Sequence, residues 1–293
     1  MTGPSGLFFN YGDNAAEPEP FLHYRYLPLL AAHAANTAAD LPRSWRAAGE
    51  TDVATLRNAD GSAFVGMVGG PANRNHGHMD AGSFVYDARG VRWVVDLGPE
   101  PYERIEAMGL DLWNEAMGLD LWNEAADSDR WKLYRLNAFG HNTLTRPGRL
   151  PPVTAAATLA ELTETTATWD LRDVLDAAVT RTFTLADDGS LTIDETLPAN
   201  GPALVATFHT PAAVTAEGGT LVLTQDGRAL TLTAEPTVAW DVAPAETGRA
   251  IDSPNPGVTR ITATLAATTR FTFAVRQPST ARGLEKNAAY AKR

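Results

Sequence analysis

The second half of the chain is a succession of short segments in which apolar and polar residues alternate. From about residue 155 onward, segments such as VTRTFTL, SLTIDETL and TRITATLAA follow this pattern. Turns rich in Asp and Gly, at residues 187–189 and 226–227, separate several of them. Many short strands at a spacing of roughly ten residues predict an all-β sandwich or a stack of antiparallel sheets.

Two hairpins and a helical segment precede these strands. Residues 52–70 alternate around an Ala-Asp-Gly-Ser turn, and residues 83–98 form two β-branched and aromatic runs on either side of a turn at residues 88–90. Residues 20–38 are rich in Ala and Leu and predict a helix. We therefore expect a mainly β protein with three parts: a short helical segment at residues 1–50, a large antiparallel β-sandwich-like domain at residues 51–280, and a frayed tail at residues 281–293.

The charge and the residue types exclude several classes of function. The net charge of −11 disfavours nucleic acid as a partner, because binding to phosphates requires clustered Lys and Arg. The chain has no cysteine, which excludes disulfides, thiolate metal ligands and thiol nucleophiles. No apolar run reaches the length of about 18 residues that predicts a membrane span, and the N-terminal sequence does not have the pattern of a signal peptide.

A nine-residue tandem repeat interrupts the middle of the chain. EAMGLDLWN occurs at residues 106–114 and again at residues 115–123. This period is shorter than that of a solenoid repeat, which starts at about 20 residues. We interpret the repeat as a recent duplication or a sequencing artefact in a surface loop, and we assign the second copy no function.

Histidines and one aspartate suggest a common site. His76 and His78 stand one residue apart in NRNHGHMDAGSF, and residues at i and i+2 of an extended segment point to the same side. The hairpin would bring Asp96 opposite Ser83, or opposite Gly82 if the turn is one residue longer. His141, in RLNAFGHNTLT, begins another predicted strand. Two imidazoles and a carboxylate are a plausible zinc set, with a hydrogen-bonded polar cluster as the alternative.

The stretch NHGHMDAGSFVYDARGVRWVVDLG, together with the later RLNAFGHNTL, resembles the heparinase II/III family of polysaccharide lyases. The resemblance covers residues 73–146 most strongly. FFNYGD, near the start of the chain, looks like the end of the family's helical domain. Members of the family are periplasmic or secreted enzymes in which an (α/α) toroid packs on a β-sandwich-like domain. The toroid is much longer than the segment before residue 51, so we expect this chain to lack most of it.

The resemblance also implies roles for individual residues. His78, Asp96 and His141 match zinc ligands that order the β domain beside the cleft, and His76 matches a catalytic histidine that faces the substrate. A Tyr and an Asn or His of the toroid perform much of the chemistry in the family. Weaker candidates for substrate binding are Tyr102, Tyr134 and Arg135. Weaker candidates for supporting the zinc ligands are Asn75 and Asp80.

Three hypotheses about function follow. The first is the C-terminal domain of a lyase that cleaves uronic-acid-containing polysaccharide, such as a glycosaminoglycan or alginate, by β-elimination in the periplasm or outside the cell. The second is a non-catalytic, zinc-stabilised β domain that binds carbohydrate or is structural. The third is a metal enzyme of the cupin type, which also uses His-x-His on strands. Cupins normally place a Glu shortly after that motif, and none occurs here between His78 and Glu100.

Overall fold

The computed structural model of the chain describes residues 2–17, 41–101, 103 and 125–275. The predicted helix at residues 20–38, the tandem repeat, Tyr102 and the predicted tail lie outside these ranges. The described residues form three antiparallel sheets, which confirms the prediction of a mainly β protein with stacked sheets. In the described part of the chain, no helix is long and apolar enough to cross a membrane.

The first sheet has five strands, which neighbour each other in chain order. They are β1 (Ser44–Ala47), β2 (Val53–Arg57), β3 (Ala63–Val68), β4 (Phe84–Ala88) and β5 (Val91–Val94). β1 pairs with β2 and precedes residue 51, so this sheet begins earlier than the boundary that we predicted for the β domain. The predicted boundaries at residues 51 and 280 otherwise remain a prediction.

The second and third sheets contain the later strands. The second sheet consists of β7 (Thr158–Leu162), β8 (Thr166–Asp170), β9 (Thr180–Leu185), β10 (Leu191–Thr196), β12 (Ala213–Glu217), β13 (Thr220–Gln225), β14 (Arg228–Glu235) and β17 (Thr269–Val275). The third consists of β6 (Leu144–Thr145), β11 (Leu204–Thr210), β15 (Trp240–Pro244) and β16 (Thr259–Leu265). The strand order is β12-β13-β14-β17-β10-β9-β8-β7 in the second sheet and β15-β16-β11-β6 in the third. A four-residue helix, α1 (Arg172–Leu175), connects β8 to β9.

The main hydrophobic core lies between the sheets. Its residues come from alternate positions of the strands, as the two-residue period of a strand requires. β9, for example, alternates half-buried and buried residues along TRTFTL. The aromatic rings of Phe84, Phe208 and Phe273, one from each sheet, meet in this core at centroid separations of 5.4 to 6.5 Å. Trp93 is fully buried in the same core.

The N-terminal segment at residues 2–17 covers the outer face of the first sheet. Phe9 is buried there against Val53, Phe64, Val68 and Val85, which point away from the main core. Both faces of the middle strands are therefore covered, and every residue of β3 and β4 is buried. This packing fixes the N-terminal segment beside the loop that carries His76 and His78.

Candidate functional site

The loop between β3 and β4 carries the two neighbouring histidines. It is not a strand: it turns at residues 74–76, and His76 has a φ of 59° in the left-handed region. Our prediction of an extended segment was therefore wrong, although both rings still contact one common group. Gly77 makes the tight turn possible, because a Cβ at this position would lie 2.4 Å from the carbonyl oxygen of Ala72.

The common group is Asp13, which the N-terminal segment supplies. Its Oδ2 lies 3.1 Å from Nδ1 of His76, and its Oδ1 lies 2.9 Å from Nε2 of His78. The side chain of His76 is 66% exposed, whereas that of His78 is completely buried. One ring is thus open to a ligand in solution, and the other belongs to the interior.

Backbone contacts hold Asp13 in place. Its N–H donates to the carbonyl of His76 at 3.2 Å, and the N–H of Gly12 donates to Oδ2 of Asp80 at 2.9 Å. Gly12 has a φ of +54°, and a Cβ at this position would lie 2.5 Å from the carbonyl oxygen of His76. The turn at residues 11–14 therefore depends on a residue without a side chain.

This dependence gives a stability prediction. Gly12→Ala is expected to lower the free energy of unfolding by about 1–3 kcal/mol, since it combines a positive φ with a backbone clash. Gly6→Ala is the matched control, because Gly6 has a φ of +84° in the same segment but no atom near the added Cβ. Chemical denaturation would measure both. Equal losses in the two variants would contradict the close approach at Gly12.

His141 and Asp96 form a second, buried pair next to His78. Asp96 follows the end of β5, and His141 follows a 3₁₀ turn at Ala138–Gly140. Oδ2 of Asp96 lies 2.8 Å from Nδ1 of His141, and the N–H of Gly98 donates to Oδ1 of Asp96 at 2.9 Å. The rings of His78 and His141 are 5.3 Å apart between centroids.

The hairpin register explains the position of Asp96. Ala88 pairs with Val91 and Asp87 with Arg92, which is the first of the two predicted registers. A bulge then shifts the pairing by one residue, so that Tyr86 lies opposite Val94. The paired strand ends at Val94, and Asp96 therefore lies beyond it.

Burial and charge set the pKa values of this cluster. Burial lowers the pKa of His78, with Asp13 opposing the shift. Burial alone would also lower the pKa of His141, but the adjacent Asp96 raises it above its usual value. For Asp13 and Asp96 burial acts to raise the pKa, and the neighbouring histidines outweigh it and lower the pKa of both carboxyls. The carboxylates are therefore charged at neutral pH.

His78, His141 and Asp96 carry the types of donor atom that a metal ion requires. Nδ1 of His78 and Nε2 of His141 are buried and have no hydrogen-bond partner among the described residues. Imidazole nitrogens beside a carboxylate suit zinc, and the carboxylate that holds the other nitrogen of a ligating histidine commonly orients it. As arranged, no three His, Asp or Glu side chains in the described ranges converge on one metal position. The donor types fit zinc, and the direct ligation by Asp96 remains a prediction.

The weaker candidates contact protein groups. Tyr134 is buried, and its hydroxyl lies 2.9 Å from Nε2 of His209. Arg135 donates to Asn255 and to the carbonyls of Pro99 and Pro254. These contacts lie within the protein, and substrate binding by Tyr134 and Arg135 remains a prediction.

The two supporting residues differ from each other. Asp80 is buried and accepts from Gly12 and, at 3.3 Å, from Arg74, so its observed contacts orient the loop rather than a histidine. Asn75 is exposed. Arg130, which the sequence did not suggest, is buried and donates to the carbonyl of Gly77 at 2.8 Å, between the two histidines.

The Asn-Thr dipeptide after His141 connects the sheets behind the site. The side-chain amide of Asn142 donates to the carbonyls of Phe84 and Val95, and its oxygen accepts from the backbone of His209. His209 is buried in the core, and burial lowers its pKa to about 3. Thr143 donates to the carbonyl of Ala81, in the loop of the two histidines.

A family model described as "Heparinase II/III-like, C-terminal" matches residues 41–282. The chain therefore belongs to this family, and the sequence resemblance is confirmed. No curated protein sequence matches the chain significantly.

Solved structures share the fold at low identity. The heparan sulfate lyase HepC from Pedobacter heparinus is 14% identical with a TM-score of 0.63, over 95% of this chain and 45% of that chain. The "Heparinase III-BT4657 gene product" is 14% identical with a TM-score of 0.61, over the same shares of the two chains. The chain thus spans less than half of the length of these structures.

Proposed function

We propose that the chain is the C-terminal part of a lyase that cleaves uronic-acid-containing polysaccharide by β-elimination, in the periplasm or outside the cell. The observation that carries the proposal is the exposed ring of His76, which Asp13 holds at the junction between the N-terminal segment and the β domain. Membership of the heparinase II/III-like family supports the reaction class. Two similar structures are described as a heparan sulfate lyase and a heparinase III, which makes heparan sulfate the first substrate to test.

Elimination breaks the C5–H and C4–O bonds and forms a C4–C5 double bond and an O–H bond on the leaving oxygen. A base removes the proton at C5 of the uronic acid, the C4–O bond breaks, and a double bond forms between C4 and C5 while the leaving oxygen is protonated. The C5 proton is only weakly acidic until hydrogen-bond donors neutralise the neighbouring carboxylate. We assign His76 to the substrate side of this site. The resemblance assigns the remaining acid, base and donor groups to the toroid.

We propose that His78 and His141 hold a zinc ion, with Asp96 as a ligand or as the group that orients His141. The ion would supply positive charge and link the histidine loop to the segment after β5. Two buried imidazole nitrogens that have no hydrogen-bond partner among the described residues support this assignment. His76 does not take part in it, since its ring is exposed.

The zinc assignment predicts the metal content of the protein. The chain is expected to bind one zinc ion, and His78→Ala is expected to lose it. Zinc that binds only the folded state also raises the melting temperature, by an amount that grows with its concentration above Kd. Elemental analysis and thermal unfolding with and without a chelator would measure both effects. Unchanged zinc content in His78→Ala would contradict the ligand assignment.

Activity distinguishes the lyase from a non-catalytic domain. The longest natural polypeptide that contains this chain is incubated with heparan sulfate, other glycosaminoglycans and alginate, and the ultraviolet absorbance of unsaturated uronide is recorded. Product from at least one of these polymers supports the proposal. Binding of a polymer without product contradicts the lyase and favours the carbohydrate-binding domain.

The 293-residue chain alone is expected to release little or no unsaturated product, because the resemblance assigns much of the chemistry to the toroid. The assay is the same, with the longer polypeptide as the positive control. Comparable turnover by the two polypeptides would contradict this division of the chemistry.

A further inference from the structure

Asp13 contacts both histidines of the loop, and it does so through different ring atoms. One oxygen faces Nδ1 of His76 at 3.1 Å, and the other faces Nε2 of His78 at 2.9 Å. An ionised carboxylate only accepts hydrogen bonds, and a neutral imidazole carries a proton on only one of its two nitrogens. The ring atom that faces Asp13 must therefore carry the proton in each histidine.

From this geometry we infer that Asp13 is a positioning residue that fixes His76 and His78 in opposite tautomers. His76 carries its proton on Nδ1 and has its lone pair on Nε2. His78 carries its proton on Nε2 and has its lone pair on Nδ1. One side chain thereby gives the exposed ring and the buried ring different chemistry.

The two lone pairs lie where the proposed function needs them. Nδ1 of His78 is buried next to His141 and has no hydrogen-bond partner in the part of the chain that the structure describes. Nε2 of His76 belongs to the exposed ring, where it is accessible to a sugar of the substrate. This part of the inference rests on the proposed function, whereas the assignment of the protons rests on the contacts of Asp13 alone.

The structure holds the carboxylate firmly enough to select a tautomer. The side chain of Asp13 is only 13% exposed, and its backbone N–H donates to the carbonyl of His76 at 3.2 Å. His76 has a φ of 59°, and in this turn the two histidines contact different oxygens of the same carboxylate through different ring atoms. A hydrogen bond that fixes one ring nitrogen determines which form the other nitrogen takes.

Nuclear magnetic resonance of the metal-free 293-residue chain, labelled with ¹⁵N at histidine, tests the assignment. Long-range ¹H–¹⁵N correlations are recorded at about pH 8, above the ordinary histidine pKa of about 6.5. The His76→Ala and His78→Ala variants identify the two signals. We expect protonated Nδ1 in His76 and protonated Nε2 in His78. The opposite tautomer in either ring would overturn the inference.

The Asp13→Asn variant tests whether Asp13 determines the tautomers of His76 and His78. The amide keeps the size of the side chain but has one accepting oxygen and one donating nitrogen, so it satisfies only one of the two protonated rings. We expect one histidine to change its tautomer, and none to change in Asp173→Asn, a matched control on the exposed surface of α1. Unchanged tautomers in Asp13→Asn would overturn the role of Asp13.

The tautomers and the lyase reaction can fail separately. The expected tautomers without any unsaturated product from the natural polypeptide would refute the proposed function and leave the role of Asp13 intact. Product together with the opposite tautomers would refute the role of Asp13 and leave the lyase intact.

Discussion

Replacing Arg181 by Met is expected to lower the free energy of unfolding by about 3–5 kcal/mol, as the loss of one partner of a buried ion pair commonly does. Arg181 and Glu195 are both fully buried, on β9 and β10, with Nε of the arginine 2.8 Å from Oε1 of the glutamate. The guanidinium also donates to the carbonyls of Gly82 and Asn142. The variant would leave the carboxyl of Glu195 buried without its partner, and burial, which already raises its pKa, would then favour the neutral form at a cost in stability. A loss of this size is a large part of the stability of a typical domain, which is about 5–15 kcal/mol.

A neighbouring pair provides the control for Arg181. Arg270 on β17 forms a similar cross-strand pair with Asp194, but its side chain is 57% exposed. Arg270→Met is therefore expected to lower the free energy of unfolding much less than Arg181→Met, because water screens an exposed pair. Urea denaturation of both variants would measure the difference. A loss below about 1 kcal/mol for Arg181→Met would contradict the structural role of the buried pair.

The position of Arg181 links stability to the site. Gly82 precedes β4 in the histidine loop, and Asn142 follows His141, so one guanidinium fixes the backbone on both sides of the histidine cluster. The double variant Arg181→Met with Glu195→Leu removes the unpaired carboxyl but leaves these two carbonyls without the guanidinium donor. It is expected to recover only part of the lost stability.

Replacing His76 by Ala is expected to lower the turnover of the natural polypeptide by about 10²–10⁴-fold, the usual size of a positioned acid–base contribution. The exposed side chain contributes little to packing, but the variant loses the contact with Asp13 and places Ala at a φ of 59°, so the free energy of unfolding is expected to fall by about 1 kcal/mol. Zinc content should also stay the same. Steady-state kinetics, denaturation and elemental analysis of one preparation would measure the three quantities.

His78→Ala is the contrasting variant for His76→Ala. It removes a completely buried ring, and we expect loss of zinc and lower stability as well as lower turnover. Loss of zinc in His76→Ala with retention in His78→Ala would mean that the two roles are reversed. Full turnover in His76→Ala would contradict its role at the substrate.

The alternating pattern of the sequence predicted the class of fold and many of the strands. VTRTFTL and SLTIDETL have the buried residues of β9 and β10 at every second position. The same alternation places Arg181 and Glu195 on the inward face, and two opposite charges at inward positions of neighbouring strands indicate a buried ion pair. The hairpin register was right at the turn, but a bulge is a local backbone choice that alternation does not reveal.

The candidate site was predicted less completely than the fold. The His-x-His motif indicated two rings at one site. Both rings contact Asp13, but a tight turn, and not an extended strand, brings them there. Asp13 is 63 residues from His76 in the sequence, and the residues next to either one do not predict such a distant contact. The only available signal was the aspartate that ends the aromatic segment FFNYGD. Packing of Phe9 on the first sheet brings this aspartate to the loop.

The masses of the fragments from a defined uronate oligosaccharide test the central claim most directly. The natural polypeptide is incubated with the oligosaccharide in ¹⁸O-labelled water, and the products are analysed by mass spectrometry. β-Elimination adds no water, so the account predicts that the two fragment masses sum to the mass of the substrate and that no ¹⁸O is incorporated. Fragments that together contain one added molecule of labelled water would show hydrolysis and contradict the account.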